Sequence, residues 1–374
     1  MIISLVHHIQ RRRSLAQSIQ KCTNRHIFAT RSIRSSSVTL GASLKYDSSS
    51  LVTFTNDNTN KIGYITLNSP STYNALSVEM GLEFESLIHD LTMMLNDQHS
   101  RYQQEQSKMH SELESKSNIR NTRVIILKGA KQNFSSGGDL SWLRDLRNNP
   151  AHINADYMYS FYKSFLSIRS LPIPTIAHVE GYAIGAGACL ALATDLRIMD
   201  QNAKIGFNFV KLGIHSGMGG SHLLSNVIGE SRSKMALLTG KVFNAQEALH
   251  NGIANDISTG KSKNQHRRSH ENVIEDVHGD KNNGDNDDDD HDDVVINVAK
   301  QIAAMHPLAI RSMVQTTRMR EDAMGGVGGL DATMRREAYA QALCYAKSDW
   351  GEGLDAVLER RQPDFSDYHD DGDW

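Results

Sequence analysis

The chain has 374 residues, enough for one large domain or two ordinary ones with a substantial core. Its formal net charge is −3, so no overall basic excess points to nucleic acid, and no apolar run approaches the ~18 residues of a membrane span. The three scattered cysteines, Cys22, Cys189 and Cys344, form no CxxC pair, which excludes a disulfide framework and a zinc site as first readings and favours a reducing compartment.

Charge is segregated along the chain. Arg11, Arg12, Arg13, Lys21, Arg25, Arg31, Arg34 and Lys45 precede the first acidic residue, Asp47, and serines cluster at Ser35–Ser37. An Arg- and Ser-rich, acid-free leader predicts a mitochondrial presequence over residues 1–40, and hence the mitochondrial matrix. A plain basic tail is the alternative reading of the same composition.

Lys61–Asn68 alternates apolar and polar residues and predicts a strand. Ser77 is a candidate N-cap for a helix through Leu91, whose buried face carries Met80, Phe84, Leu87, Ile88 and Leu91. A polar stretch at about 96–122 has no apolar period and predicts either a longer helix or an insertion. Arg123–Lys128 predicts a short buried strand, followed by a glycine-containing loop (Phe134–Asp139) and a helix with Trp142 and Leu143. Tyr157–Leu171 predicts an amphipathic helix, Thr175–Val179 a strand, and Leu196–Met199 another. Strand–loop–helix repeats of this kind predict an α/β fold with mainly parallel strands. The core is expected over residues 50–258.

Between Asp285 and Asp293, seven of nine residues are aspartate. Residues 259–293 are therefore expected to form an acidic, disordered surface insertion. The run lacks the glycine and spaced glutamate of an EF-hand loop, so no metal is expected. A helical module is predicted over 294–374, with Val295, Val298, Ile302 and Ala303 on one face and further helices at Met334–Ala346 and Glu352–Arg361.

Two loops carry the candidate chemistry: Phe134–Leu140 (FSSGGDL) and Gly181–Cys189 (GYAIGAGAC). Each follows a strand and opens a helix. Glycine there lets backbone approach a ligand or adopt positive φ, and free N–H groups at a helix start favour developing negative charge. Two such groups aimed at one carbonyl oxygen make an oxyanion hole. Close helix–strand packing by Gly185 and Gly187 is the competing explanation. A dinucleotide fingerprint fails, because the GxGxxG spacing is absent and no acidic residue sits about 20 positions on.

Four segments occur in a recognisable order: NxPxxxNAL (Asn68–Leu76), VIILKGxxxxFSSGGDL (Val124–Leu140), Pro174–Ile198 and LTGKVFNAQEALHNGI (Leu238–Ile253). Together they resemble the crotonase (enoyl-CoA hydratase/isomerase) superfamily. The resemblance implies a crotonase-like spiral of ββα repeats with a C-terminal α-helical module, assembled as homotrimers or homohexamers. It implies an acyl-CoA thioester as substrate, no cofactor apart from the CoA of that substrate, and an enolate held by the N–H groups of Gly138 and Ala186. Gly137 and Gly185 flank those donors, and Ala75 corresponds to the segment that meets the adenine end of CoA.

The resemblance also marks a departure. The two glutamate positions of the family's hydratases correspond here to Cys189 and Phe209, and Pro174–Gly220 contains only Glu180, Asp195 and Asp200 as acids. Activating water needs a base and α-protonation an acid. His215, in a loop that lines the acyl pocket of relatives, is a candidate acid/base or a residue that merely bonds its own loop. Cys189 is a candidate nucleophile or a packing residue, Asn208 a candidate to orient water, and Asp139 a candidate to order its loop. Arg360 and Arg361 would meet CoA phosphate or end a solvated helix.

Overall fold

The computed structural model describes residues 49–96, 119, 121–259, 294–323, 329–345 and 349–364. The expected presequence, nearly all of the 96–122 stretch and almost all of the acidic insertion lie outside the described residues.

β1 (Val52–Asp57) and β2 (Ile62–Leu67) form an antiparallel hairpin. Lys61 takes φ +58° in the turn, where Asp57 Oδ1 accepts the Asn60 N–H at 3.0 Å. From β2 the sheet continues in parallel through β3 (Val124–Gly129), β4 (Thr175–Val179), β6 (Leu196–Asp200) and β9 (Asp256–Ser258). A second sheet holds β5 (Tyr182–Ile184), β7 (Lys204–Gly206) and β8 (Val242–Asn244). Twice a strand of the first sheet is followed by one of the second and then by a helix: β4–β5–α4 (Ala186–Leu192) and β6–β7–α5 (Gly220–Ile228). This is the expected crotonase-like repeat.

Parallel sheets bury both faces. One face of the first sheet, Ile62, Val124, Ile126, Ile176 and Ile198, lies under α8 (Val294–Ala304), which presents Val295, Val298, Ile302 and Ala303 as the sequence pattern predicts. Burying side chains of that size stabilises by about 1.5–3 kcal/mol each. The opposite parity, Ile65, Leu67, Ile125 and Leu127, is fully buried as well.

Helix α1 (Val78–Asn96) runs beyond the expected end at Leu91, because Leu95 continues its buried face. α2 (Leu140–Asp145) is short. α3 (Ala151–Leu166) begins six residues before the expected Tyr157 and ends before Leu171 in a tighter turn, Ser167–Ser170. Its first turn offers only Ala151 and Ile153 as apolar residues and so carries no helical apolar period. Phe84 of α1 and Phe165 of α3 pack as a tilted pair with centroids 5.6 Å apart.

The chain continues through α6 (Glu230–Thr239) and α7 (Ala245–His250) before α8. α9 (Pro307–Ala323) follows, a helix whose bounds the sequence did not mark, and then the two expected helices, α10 (Gly329–Tyr345), which starts before Met334, and α11 (Asp349–Leu358), which ends before Arg361. Arg318 of α9 is buried and forks onto Asp195, 2.7 Å to Oδ1 and 2.5 Å to Oδ2, while donating to the Leu171 carbonyl at 2.6 Å. That contact ties the helical module to the start of β4 and β6.

Candidate active site

The segment Ser69–Leu76 is laced to the loop that follows β3. Asn74 is fully buried; its Nδ2 donates to the Ala130 and Asn133 carbonyls at 3.0 and 2.5 Å. Asn133 donates in return to the Tyr73 carbonyl at 2.8 Å, and the Ser135 hydroxyl to the Asn74 carbonyl at 2.8 Å. The lacing brings Leu76 beside Gly138 as an isolated parallel bridge. Leu76 N–H donates to the Gly137 carbonyl at 2.7 Å, and Asp139 N–H to the Leu76 carbonyl at 3.0 Å. In a parallel bridge of this register the N–H of Gly138 faces away from its partner. Asp139 then caps α2, its Oδ1 accepting the Ser141 N–H at 2.8 Å and the Trp142 N–H at 3.2 Å.

The second loop leaves β5 at Gly185, whose φ of +54° and ψ of −117° are open only to glycine. Ala186 is the first residue of α4, so its N–H is one of the donors that a helix start leaves without an internal partner. Gly187 is glycine for another reason, since a Cβ there would sit 2.8 Å from that of Ser135. Both explanations of the glycines therefore apply, conformation at Gly185 and close packing at Gly187. A Cβ on Gly137 would lie 3.9 Å from the Ala186 nitrogen, so the two loops meet at their glycines. Among the described residues, neither the Gly138 nor the Ala186 N–H has a hydrogen-bond acceptor.

A cavity of about 610 Å³ opens onto both donors. Ala75, Gly137, Gly185, Asn208 and Phe209 also line it, as do Leu143, Met158, Phe161 and Met218. Among the described lining residues the one carboxylate is Asp139, engaged as the cap of α2.

Cys189 and His215 are placed elsewhere. Cys189 is fully buried behind the cavity wall, its thiol donating to the Gly217 carbonyl at 3.4 Å. Burial, and next the nearby Glu337 carboxylate, push that thiol well above its usual range and keep it protonated. His215 is exposed and donates from Nδ1 to the Ser216 carbonyl at 2.6 Å, the loop-bonding alternative for this residue. Arg361 pairs with Glu352 at 2.5 and 2.8 Å and with Glu359 at 2.6 Å. Its guanidinium holds the Glu352 carboxyl down at about 2. Arg360 is exposed with φ +56°; neither arginine lines the cavity, although Val357, one turn earlier, does.

Sequence reasoning missed the polar end of the cavity. Tyr162 of α3 donates to Gln341 Oε1 of α10 at 2.5 Å, and Gln341 Nε2 donates to the His215 carbonyl at 2.8 Å. Tyr162, Gln341 and Tyr345 line the cavity. Behind them Glu337 is buried, its carboxylate accepting the Gly219 N–H at 2.7 Å at the start of α5. Burial raises that carboxyl to about 7. A signal was present: Glu337, Gln341 and Tyr345 are spaced by four and so share one helical face. Away from the cavity, the ligand atoms of His178, Glu180 and Asp200 lie within 4.8 Å of one another. Among the described residues, no helix is long and apolar enough to cross a membrane.

The enoyl-CoA hydratase/isomerase family profile matches residues 57–276. The chain belongs to that family. A relative from Arabidopsis thaliana named "Probable enoyl-CoA hydratase 2, mitochondrial" is 31% identical over 249 residues, covering 64% of this chain and 68% of that one. The crotonyl-CoA hydratase of Syntrophomonas wolfei is 27% identical over 308 residues, or 82% and 94% of the two chains. Among solved structures, an enoyl-CoA hydratase from Mycobacterium avium subsp. paratuberculosis superposes with a TM-score of 0.60 at 21% identity. That match covers 85% of this chain and 99% of that one. Membership in the enoyl-CoA hydratase/isomerase family accounts for the paired strand–loop–helix units around the cavity.

Proposed function

We propose that this family member acts on an acyl-CoA thioester and stabilises its enolate, with the Gly138 and Ala186 N–H groups as the oxyanion hole. The observation that carries the reading is that two N–H donors, without acceptors of their own, open onto one largely apolar cavity. Each such donor contributes about 3–4 kcal/mol to holding a developing oxyanion. Ala75 would meet the adenine end of CoA, and Arg360 its phosphate, Arg361 being already paired with two glutamates.

Hydration or double-bond isomerisation of an enoyl-CoA in mitochondrial fatty-acid or branched-chain acyl-CoA metabolism is the reading by family. A second reading is favoured by the makeup of the cavity. Conjugate addition of water needs a positioned base, whereas Cys189 and Phe209 stand where the family's hydratases carry glutamates, and Asp139 is spent on a helix cap. Decarboxylation of a malonyl-type thioester needs no base. The bond from C2 to the carboxylate breaks, its electron pair passes to the thioester oxygen between the two N–H groups, and CO2 departs. Thioester hydrolysis, and an acyl-CoA-binding protein without turnover, stand behind these readings.

The basic leader and the name of the Arabidopsis relative support the mitochondrial matrix; deleting residues 2–40 should abolish import. Purified protein without the leader should be offered crotonyl-CoA, 3-enoyl-CoAs and methylmalonyl-CoA. Turnover of the last with release of CO2 supports decarboxylation, and turnover of crotonyl-CoA alone supports hydration. Tight binding of all three with no product would leave only the non-catalytic reading. Sedimentation tests the trimer or hexamer.

A further inference from the structure

Once an enolate forms, carbon C2 has to receive a proton, and the chain must supply a donor. Among the described residues, the ionisable groups lining the cavity are Asp139, Tyr73, Tyr162 and Tyr345. Asp139 caps α2 as an acceptor. Tyr73 stands mostly in solvent on the left-handed turn after Pro70. Tyr345 donates to the Met158 sulfur at 3.8 Å. Tyr162 differs from all three.

Its hydroxyl lies against Gly217, because a Cβ on that glycine would collide with the Tyr162 oxygen. The carbonyl of the same Gly217 takes the Cys189 thiol. Cys189 is one turn along α4 from Ala186, the proposed oxyanion donor. Cys189 and the Tyr162 hydroxyl therefore both meet Gly217, one at its carbonyl and the other where its side chain would begin. The missing side chain of Gly217 leaves room for that hydroxyl, and a Cβ there would also press to 3.0 Å from Gln341 Oε1. Gln341 cannot turn its amide, since Nε2 is fixed by the His215 carbonyl, so an acceptor always faces Tyr162.

We propose that Tyr162, reaching the cavity from α3, is the proton donor to C2 of the acyl-CoA enolate, in place of a carboxylic acid on α4. The proposal rests on the enolate reading above. The phenolic proton leaves its bond to Gln341 Oε1, the enolate electron pair forms the new C2–H bond with it, the thioester carbonyl is restored, and the phenolate is left accepting from the Met218 N–H. Water then returns the proton to the phenolate, and the hydroxide so formed combines with CO2 as bicarbonate. Burial, followed by the neighbouring Tyr345 and Glu337, holds the Tyr162 hydroxyl well above its usual range, so it enters the cycle protonated and acts as donor rather than base.

A hydroxyl fixed to one wall delivers its proton to one face of C2. The test is turnover of methylmalonyl-CoA in D2O by the unaltered protein and by Y162F, reading rate, the configuration of the deuterated propionyl-CoA, and propionyl-CoA binding. The expected result is a single configuration from the unaltered protein. Y162F should fall in kcat by about 10²-fold, give a mixture of both configurations, and bind propionyl-CoA within a few-fold of the parent. A role confined to packing α3 on α10 would lower stability and leave the configuration pure, which overturns the donor. Undiminished, single-configuration turnover by Y162F likewise overturns the assignment of Tyr162 while the enolate reading stands. Absence of turnover by the unaltered protein on every thioester offered overturns the enolate reading and the donor with it.

Discussion

The Glu337 carboxylate of α10 accepts both the backbone N–H and the hydroxyl of Ser221, at 2.9 and 2.6 Å, in the first turn of α5. A buried acid thus holds a helix start whose free N–H groups are electropositive. The hydrogen bonds favour the charged form, but burial outweighs them and the carboxyl sits at about 7 rather than 4.5. A folded-state value above the unfolded one stabilises fully below about 4.5, and that contribution is lost as pH rises through about 7. By linkage the swing is on the order of 3 kcal/mol. Melting temperatures of the protein and of E337Q, taken from pH 5 to 8, should therefore converge or cross as pH rises. A difference that stays constant with pH would remove this account of Glu337.

Ala186→Pro isolates one oxyanion donor. Proline is tolerated at the first residue of a helix, where the N–H has no intrahelical acceptor to lose. The variant should fold, bind acyl-CoA within a few-fold of the parent, and lose about 10²–10³ in kcat. Circular dichroism, calorimetry of binding and turnover of the accepted thioester provide the three readings. Unchanged kcat in a folded variant would place the oxyanion elsewhere.

Much of this arrangement was legible in the chain. β3 opens on the apolar run Val124–Leu127 and ends in glycine, and β4 is introduced by proline, so their bounds came within a residue. The glycine loops after them were legible because only glycine serves at Gly185. β5, β7 and β8 were not, since three residues carry no period. At the pocket's polar end the four-residue spacing of Glu337, Gln341 and Tyr345 was legible, but not its pairing with α3. Tyr162 and Gln341 stand 179 positions apart, and no spacing rule joins them. Cys189 and His215 could not be placed from sequence, because a position beside a pocket loop does not tell which way a side chain points. Cys189 turns into the protein, and His215 turns outward.

The thiol of Cys189 makes a direct chemical prediction. A buried thiol held protonated is a poor nucleophile. Iodoacetamide at pH 7.5, followed by peptide mass analysis, should leave Cys189 unmodified in the folded protein and label it after unfolding. Cys189→Ala should keep turnover within several-fold. Rapid labelling of the native thiol, with parallel loss of activity, would restore cysteine as a reactive group.

Arg318 offers the test of how the helical module supports the site. Its guanidinium is buried and gives two bonds to Asp195, one to the Leu171 carbonyl and one to the Arg169 carbonyl at 3.0 Å. Arg318→Met would leave Asp195 with the Thr175 N–H and hydroxyl, at 2.7 and 2.8 Å, but without this cation. Breaking such a pair from one side costs about 3–5 kcal/mol, because a half-buried charge is left behind. Arg318→Lys keeps the charge and loses the fork, so it should fall between the two. Asp195 directly follows the segment that closes α4, so strain there reaches the helix that carries Ala186. Urea titration should therefore rank the parent above Arg318→Lys above Arg318→Met, with kcat falling in the same order. Equal stability for all three would mean that the module is held by its apolar contacts alone.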